Sequence, residues 1–339
     1  MSRRADYHPS MSLAELAYDP DRLERLRHGA AVVTGEPAVF WVEGSGALAC
    51  LQGLLTNDLV KPGEHSLVYG AVLTPKGMIV VDHWVLRLPE RFALVAPLRG
   101  REATRELLGR NLPPRLAKVS DATGQVEAAW LIGGQAFATL ARSNLKPLPE
   151  AAGRVSMVET EAGPLAVGLA PEGAPFTAIA LGPGLAIGSF VRAVLDAGAT
   201  GGTAEDLNAA RIVAGWPALG AEIDERTLPQ EVRYDEIGGV SYTKGCYVGQ
   251  ETVARLHFRG HANRHLRGLV WRNAAPLADQ RITAGEREVG SVRSTLALDD
   301  RRIGLGLLRR EIDPGTEVMA GGQVATVLAL PFAPDDLAP

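Results

Sequence analysis

The chain has 339 residues, 46% of them apolar and 22% charged, and carries a formal net charge of -4. This composition is typical of a folded globular protein, and the length predicts two or three domains. The negative net charge excludes a general attraction to nucleic acid or to an anionic membrane, so we expect neither as a partner.

The chain divides into three regions. Residues 1–30 are predicted to be a polar N-terminal extension that packs loosely, and residues 31–262 form the main region. Within the main region, residues 115–202 repeat strand and helix signals that predict an α+β unit with an antiparallel sheet. Short strands separated by turns predict a C-terminal antiparallel barrel or sandwich over residues 263–339.

Two acidic residues of the main region are candidates for a site. Asp82 interrupts an apolar strand signal, which is costly unless the carboxylate is paired or borders a cleft. A hydrogen-bonded strand residue would give the same pattern. Glu222 belongs to a loop with three acids, for which solvent exposure is the simpler explanation, and it remains a candidate.

The two cysteines, Cys50 and Cys246, are too few for a disulfide framework, and no apolar run approaches the roughly 18 residues that span a bilayer. We therefore expect a cytoplasmic protein, and a monomer. Cys246 lies in a glycine-rich stretch, with Lys244 before it and a predicted short helix that begins near it. A neighbouring cation or helix N-terminus lowers the pKa of a thiol, so we interpret Cys246 as a functional thiol and Lys244 as its tuning residue.

Other interpretations of this stretch are weaker. His83, His257 and His261 could each supply the base of a cysteine hydrolase, but no nucleophile signature accompanies the thiol. His257, His261 and His265 are spaced like ligands on one helix face, but Gly260 weakens that helix and we expect no metal site. The sequence also has no P-loop and no correctly spaced dinucleotide fingerprint.

The segment that follows the thiol alternates basic and apolar residues. In an extended conformation it would place Arg255, His257, Arg259 and His261 on one face and form a local anion site.

These motifs resemble a known family. Residues 244–251, KGCYVGQE, resemble the K-G-C-[FY]-x-G-Q-E signature of the YgfZ folate-binding proteins, which are relatives of the glycine-cleavage T-protein, an aminomethyltransferase. Residues 51–58, LQGLLTND, and residues 74–77, TPKG, resemble two further segments of that family. The matching segments extend from about residue 40 to about residue 310.

The resemblance implies an α+β, three-lobed ring with a ferredoxin-like unit and a C-terminal β-barrel, holding tetrahydrofolate or a one-carbon derivative in a central opening. It implies an accessory role in iron–sulfur cluster assembly or repair, with iron–sulfur clients that include tRNA-modifying enzymes, and it makes Cys246 the required residue. The alternatives are a folate-dependent aminomethyl or one-carbon transferase that uses Asp82, and a scaffold without a ligand.

The candidate residues follow from the motifs and the resemblance together. Cys246, Lys244 and Asp82 are expected to carry the chemistry. The expected folate-binding residues are Asp82, Glu222, Gln230, Tyr247, Gln250, Glu251, Arg255 and Arg259, with the Arg255 and Arg259 face meeting the folate glutamate. Tryptophans that contact folate in some family members fall near Pro37 and Leu207, which leaves Trp41 and Trp216 as candidates to replace them.

Overall fold

The computed structural model describes residues 14–337, so the first thirteen residues of the predicted extension and the last two residues of the chain lie outside it. The described residues form eighteen strands and seven α-helices. The strands are Ala14–Ala17 (β1), Ala31–Gly35 (β2), Ala38–Glu43 (β3), Ser66–Leu73 (β4), Ile79–Arg87 (β5), Arg91–Ala96 (β6), Lys118–Asp121 (β7), Glu127–Ile132 (β8), Val155–Thr160 (β9), Gly163–Leu169 (β10), Ala178–Gly182 (β11), Thr200–Gly201 (β12), Arg264–Trp271 (β13), Arg281–Ala284 (β14), Arg287–Ala297 (β15), Arg302–Arg309 (β16), Glu317–Ala320 (β17) and Gln323–Leu328 (β18). The helices are Pro20–His28 (α1), Ala47–Gln52 (α2), Arg101–Asn111 (α3), Ala136–Arg142 (α4), Gly184–Asp196 (α5), Ala204–Val213 (α6) and Gln250–Arg259 (α7).

The strands form three sheets. The first has the order β4-β5-β6-β3-β7 and the second the order β12-β2-β8-β11-β10-β9. The third is a closed six-stranded antiparallel barrel of β13 to β18, because β15 pairs with β16 as well as with β14. The predicted C-terminal barrel is therefore confirmed, and the molecule has the mixed α+β fold that the sequence predicts.

The second sheet contains strands β8 to β12 of the region 115–202, for which an α+β unit was predicted, together with β2 from outside it, whereas β7 of that region joins the first sheet. Helix α5 packs on this sheet, where Ile187 and Phe190 join a core with Leu131 and Ala180. Strand β2 pairs with β8 across about a hundred residues, and the short β12 pairs with β2 in parallel. The sheet therefore joins the start of the main region to its middle.

The N-terminal segment packs more firmly than expected. Strand β1 pairs in parallel with β15 of the barrel, and Tyr18, Leu23 and Leu26 are buried. Arg22 forms an ion pair of 2.7 Å with the buried Asp206 at the start of α6. The expectation of loose packing is wrong for this segment because apolar and charged side chains both fix α1 against α6.

Strand β4 explains how the first sheet positions a site. All eight of its residues are buried, so both faces of this part of the sheet are covered. Val68 and Val72 face a core formed with α2 and α3, whereas Tyr69 and Ala71 face a central cluster that includes Trp216 and other residues far along the chain. Side chains alternate between the faces of a strand, so neighbouring residues enter different environments.

No helix within residues 14–337 is long and apolar enough to cross a membrane.

Candidate functional site

A cavity of about 440 Å³ lies where the first sheet, the second sheet and α6 meet. A cavity of this size is typical of small-molecule sites, which combine apolar walls with a few polar groups. Its lining consists of Val33, Thr34, Gly35, Glu36, Pro37, Asp82, Trp84, Val95, Ala96, Pro97, Leu98, Trp130, Pro175, Phe176, Ala204, Leu207, Asn208, Arg211, Trp216, Pro217 and Ala218.

Aromatic side chains form much of the cavity wall. Trp84 and Trp216 are stacked, with ring centroids 5.5 Å apart and an interplanar angle of 16°. Phe176 meets Trp84 at 4.8 Å on another side, and Trp130 also lines the cavity. Flat apolar walls of this kind suit a planar ring system, because aromatic surfaces stack favourably in an offset arrangement.

The carboxyl group of Asp82 is the buried acid in this wall. Asp82 on β5 pairs with Ala71 of β4, so Tyr69 of β4 is its diagonal neighbour. The Tyr69 hydroxyl donates a hydrogen bond of 3.0 Å to Asp82 Oδ2. The Tyr69 hydroxyl also lies 3.1 Å from the hydroxyl of Tyr234. Asp82 Oδ1 has no hydrogen-bond partner among the described residues. This buried oxygen therefore has a capacity to accept a hydrogen bond that no described residue uses.

Burial sets the protonation of this cluster. Desolvation raises the pKa of Asp82 from 3.8 to about 6, although the Tyr69 hydrogen bond opposes the shift. Burial, together with the charge of Asp82, also raises the pKa values of Tyr69 and Tyr234 well above 10, so both tyrosines keep their protons. The cluster therefore has one group, Asp82, that changes charge near neutral pH.

Glu222 holds a cavity residue in place and does not line the cavity. It is fully buried, and its Oε2 accepts hydrogen bonds from Arg211 Nη1 at 2.8 Å and from the backbone N–H of Ala218 at 3.0 Å. Its Oε1 accepts a hydrogen bond of 2.6 Å from Ser294 in the barrel. Arg211 lies on α6 and lines the cavity, so Glu222 can influence a ligand through this arginine.

The loop that carries Cys246 docks on the segment that follows α2. Thr56 donates to the carbonyl of Gly239 and Asn57 to the carbonyl of Gly238, each at 2.6 Å. The thiol of Cys246 is exposed. The two most distinctive motifs of the sequence, some 180 residues apart, therefore form one surface unit.

Lys244 anchors this loop. Its ammonium donates hydrogen bonds of 2.7 Å to the carbonyls of Leu55 and Asn57, and it lies 5.2 Å from the ring centroid of Tyr247. Burial lowers the pKa of Lys244 to about 8, while the charge of Asp58 raises it. The described partners of this ammonium are thus backbone carbonyls and an aromatic ring.

The other predicted folate-binding residues surround the Cys246 loop and α7 and do not line the cavity. Gln250 accepts a hydrogen bond of 3.0 Å from the backbone of Tyr247, and Gln230 donates to the carbonyl of Val253, also at 3.0 Å. Burial raises the pKa of Tyr247 to about 12. Glu251, Arg255 and Arg259 are exposed along α7. The cavity and the Cys246 loop are therefore separate, and Asp82 is the one predicted folate-binding residue that lines the cavity.

Helix α7 replaces the extended segment considered for Arg255 to His261. It begins after Gly249, whose φ of 83° favours glycine, and ends at Arg259. On a helix, Arg255 and Arg259 share a face and His257 points elsewhere. His257 stacks on Tyr242 at 3.7 Å. The helix also ends before His261, and no cluster that could hold a metal exists among the described residues.

Several residues of the central cluster carried no signal in the sequence. Tyr69, Tyr234 and Phe176 come from separate parts of the chain and meet only in the fold. Trp84 could have been found, because it lies two residues after Asp82 on the same face of β5. Of the two tryptophans considered as replacements, Trp216 lines the cavity and Trp41 is absent from its lining.

Comparison with known proteins gives matches of three kinds. The GCVT N-terminal domain model matches residues 26–158. The tRNA-modifying protein YgfZ of Enterobacter sp. (strain 638) is 28% identical over 279 residues, which span 78% of this chain and 81% of that protein. The YgfZ proteins of Cronobacter sakazakii and Vibrio vulnificus are 36% and 34% identical, but the matched segments span 34% and 40% of their lengths.

The fold also matches a solved structure. The glycine cleavage system aminomethyltransferase T of Bartonella henselae superposes with a TM-score of 0.76 at 19% identity, covering 94% of this chain and 91% of that one. At this identity the match establishes a common fold. Together the matches confirm the family resemblance that the sequence motifs indicate.

Proposed function

This chain is a relative of the YgfZ proteins, built on the fold of the glycine-cleavage T-protein, and from that relationship we propose that it binds tetrahydrofolate or a one-carbon derivative. We further propose that it serves as an accessory factor for the assembly or repair of iron–sulfur clusters in client enzymes, including enzymes that modify tRNA. When bound, the folate supplies a carrier for a one-carbon unit.

The observation that carries the folate proposal is the unpartnered Oδ1 of Asp82 in an aromatic cavity. A reduced pteridine presents N–H donors at the edge of a flat ring. Stacked Trp84 and Trp216 offer the flat surface, and the Asp82 carboxylate offers the acceptor that buried N–H groups require. Arg211, fixed by Glu222, adds a donor to the same wall.

The proposed role of Cys246 is that of a redox-active or transiently coordinating thiol that meets a client. Support comes from its exposure on a loop whose backbone is fixed by Thr56, Asn57 and Lys244. A fixed loop presents an exposed thiol in one place, which suits transfer to or from a partner. The chain has only two cysteines, so a permanent four-cysteine cluster within one chain is excluded.

A folate-dependent aminomethyl or one-carbon transferase is a second candidate. The pKa of Asp82, about 6, favours it, because an acid that titrates near neutral pH can exchange a proton with a substrate. Turnover of a one-carbon folate by the isolated protein would distinguish the transferase from the accessory factor.

Calorimetric titration of the purified protein with tetrahydrofolate tests ligand binding. We expect saturable heat, and competition by folinic acid. The Asp121→Asn variant, which changes a carboxylate outside the cavity, should bind like the wild type. Absence of heat together with absence of competition would refute both folate functions.

Complementation of a deletion strain tests the thiol. We expect Cys246→Ser to fail to restore the activity of iron–sulfur enzymes while it keeps full folate affinity. Cys50→Ser is the matched control, since Cys50 lies on α2 and is half-buried. Full restoration by Cys246→Ser would contradict the proposed role.

A further inference from the structure

The outer face of α7 presents two arginines without partners. Arg255 and Arg259 are exposed, and neither forms a hydrogen bond or an ion pair with any of residues 14–337. Their spacing of four residues places them one above the other on the helix. Glu251 lies one turn before Arg255 and is the one exposed acid of this helix. The face is therefore positively charged.

An aromatic cluster adjoins these arginines. Phe258 lies between Arg255 and Arg259 in sequence and is 67% exposed. It meets the His257 ring edge-on at 4.7 Å, and His257 in turn stacks on Tyr242. His257 and Tyr242 both contact Asp235, so this acid is engaged within the cluster. The exposed ring of Phe258 is thus supported by its contact with the stacked rings of His257 and Tyr242.

The positive surface continues beyond the end of α7. Arg264 follows Arg259 by five positions, so their Cα atoms are at most about 18 Å apart. Arg264, Arg309 and Arg310 line a cavity of about 510 Å³ there, and the backbone N–H of Arg310 donates to Asn263.

The acids of this cavity already have partners. Glu231 holds Arg264 with two hydrogen bonds of 2.8 and 2.9 Å, and Glu311 lies 3.2 Å from Arg287. The side chain of Arg310 has no hydrogen bond or ion pair with the described residues. Arg255, Arg259 and Arg310 are therefore free to bind an external anion.

We propose that this surface, formed by α7 and the arginines after it, binds single-stranded RNA. Arginines meet the phosphates of such a strand and exposed aromatic rings stack with its unpaired bases, so the combination suits it better than an acidic protein. The net charge of -4 gives no hint of this surface, because it sums the charges of the whole chain and not those of one face. The inference does not depend on folate binding.

Fluorescence anisotropy with a labelled 12-nucleotide oligouridine tests the proposal on the full chain without folate. We expect affinity on the order of micromolar at about 50 mM salt, falling as salt rises. The variant R255A/R259A should weaken binding. It should also reduce the slope of log K against log salt by about 1.4, because each lost phosphate contact of a single strand contributes about 0.7 to the slope. Phe258→Ala should weaken binding between about fivefold and 100-fold through lost stacking.

Controls separate this surface from a general charge effect. R110A/R115A removes the same charge from exposed positions on α3 and the following turn, and should bind as the wild type does. Asp82→Asn should also bind RNA normally, whatever its folate affinity. Circular dichroism verifies that each variant is folded. The proposal is overturned if the wild type does not bind at 50 mM salt, if R255A/R259A binds equally well, or if polyglutamate competes and Phe258→Ala has no effect, which would indicate an acidic protein.

Discussion

Replacing Asp82 by asparagine should make the protein more stable and worse at binding folate. The amide has nearly the shape of the carboxylate and can still accept the hydrogen bond from Tyr69. The substitution removes the negative charge of a residue that is only 7% exposed and whose carboxylate has one oxygen without a hydrogen-bond partner among the described residues. Burying an incompletely paired charge is costly, so its removal should favour the folded state.

The magnitude follows from the pKa. The folded-state pKa of about 6 lies above the unfolded value of 3.8, so stability is lost as the pH rises through this interval. Ionisation of Asp82 costs about 3 kcal/mol at pH 8 and about 1 kcal/mol at pH 4.5. The gain in unfolding free energy from Asp82→Asn should therefore be larger at pH 8 by about 2 kcal/mol.

Urea denaturation at the two pH values measures this difference, and calorimetry at pH 8 measures folate affinity. We expect Asp82→Asn to bind tetrahydrofolate about 10- to 100-fold more weakly, since a hydrogen bond to a charged group contributes about 1.5–3 kcal/mol.

Asp121→Asn is a control for which the expected change in unfolding free energy has the opposite sign. Burial raises the pKa of Asp121, but hydrogen bonds from Thr123 and Arg101 outweigh burial and lower it. This carboxylate therefore stabilises the fold while it is ionised. Since that contribution is lost only as the pH falls through 3.8 and below, its loss should destabilise the protein by nearly the same amount at pH 8 and at pH 4.5. An Asp82→Asn effect that is equal at both pH values, or larger at pH 4.5, would refute the reasoning about burial.

Two further substitutions test the supports of the site. Lys244→Met leaves two backbone carbonyls without a donor and should lower the unfolding free energy by about 1–3 kcal/mol, whereas Lys118→Met, at an exposed lysine on β7, should change it by less than about 0.5 kcal/mol. Equal melting temperatures for the two variants would exclude the anchoring role. Glu222→Gln leaves the charge of Arg211 uncompensated and should cost about 3 kcal/mol in urea denaturation, with weaker folate binding. Unchanged stability would mean that Arg211 does not need this partner.

Local patterns predicted the elements of the fold better than their arrangement. The apolar strand signal that Asp82 interrupts corresponds to β5 at Ile79–Arg87, and the short strands predicted over residues 263–339 correspond to β13 to β18. Local chemistry decides such features. The pairing of β2 with β8 and of β1 with β15 joins distant segments, and no local pattern encodes these pairs.

The site was predictable in part for the same reason. Asp82 was conspicuous because a charge in an apolar strand is costly, and Cys246 because of its motif. Their surroundings could not be read locally: the hydroxyls near Asp82 come from residues 69 and 234, and Lys244 bonds to carbonyls about 190 residues away. The alternation of basic and apolar residues after Cys246 suggested an extended segment where the structure has α7. The spacing of four residues between Arg255 and Arg259 places them on one face of either a strand or a helix.

Asp82 and His83 show why position on the strand matters more than burial. Both are buried, and burial disfavours the charged form of each: it raises the pKa of Asp82 to about 6 and lowers that of His83 to about 3. His83 faces α3, where its Nε2 lies 3.0 Å from the Thr104 hydroxyl. Asp82 lies in the cavity wall and keeps one oxygen without a hydrogen-bond partner among the described residues. Burial therefore disfavours the charge of both residues, but His83 is a neutral core residue on one face of β5 and Asp82 is the proposed binding group on the other.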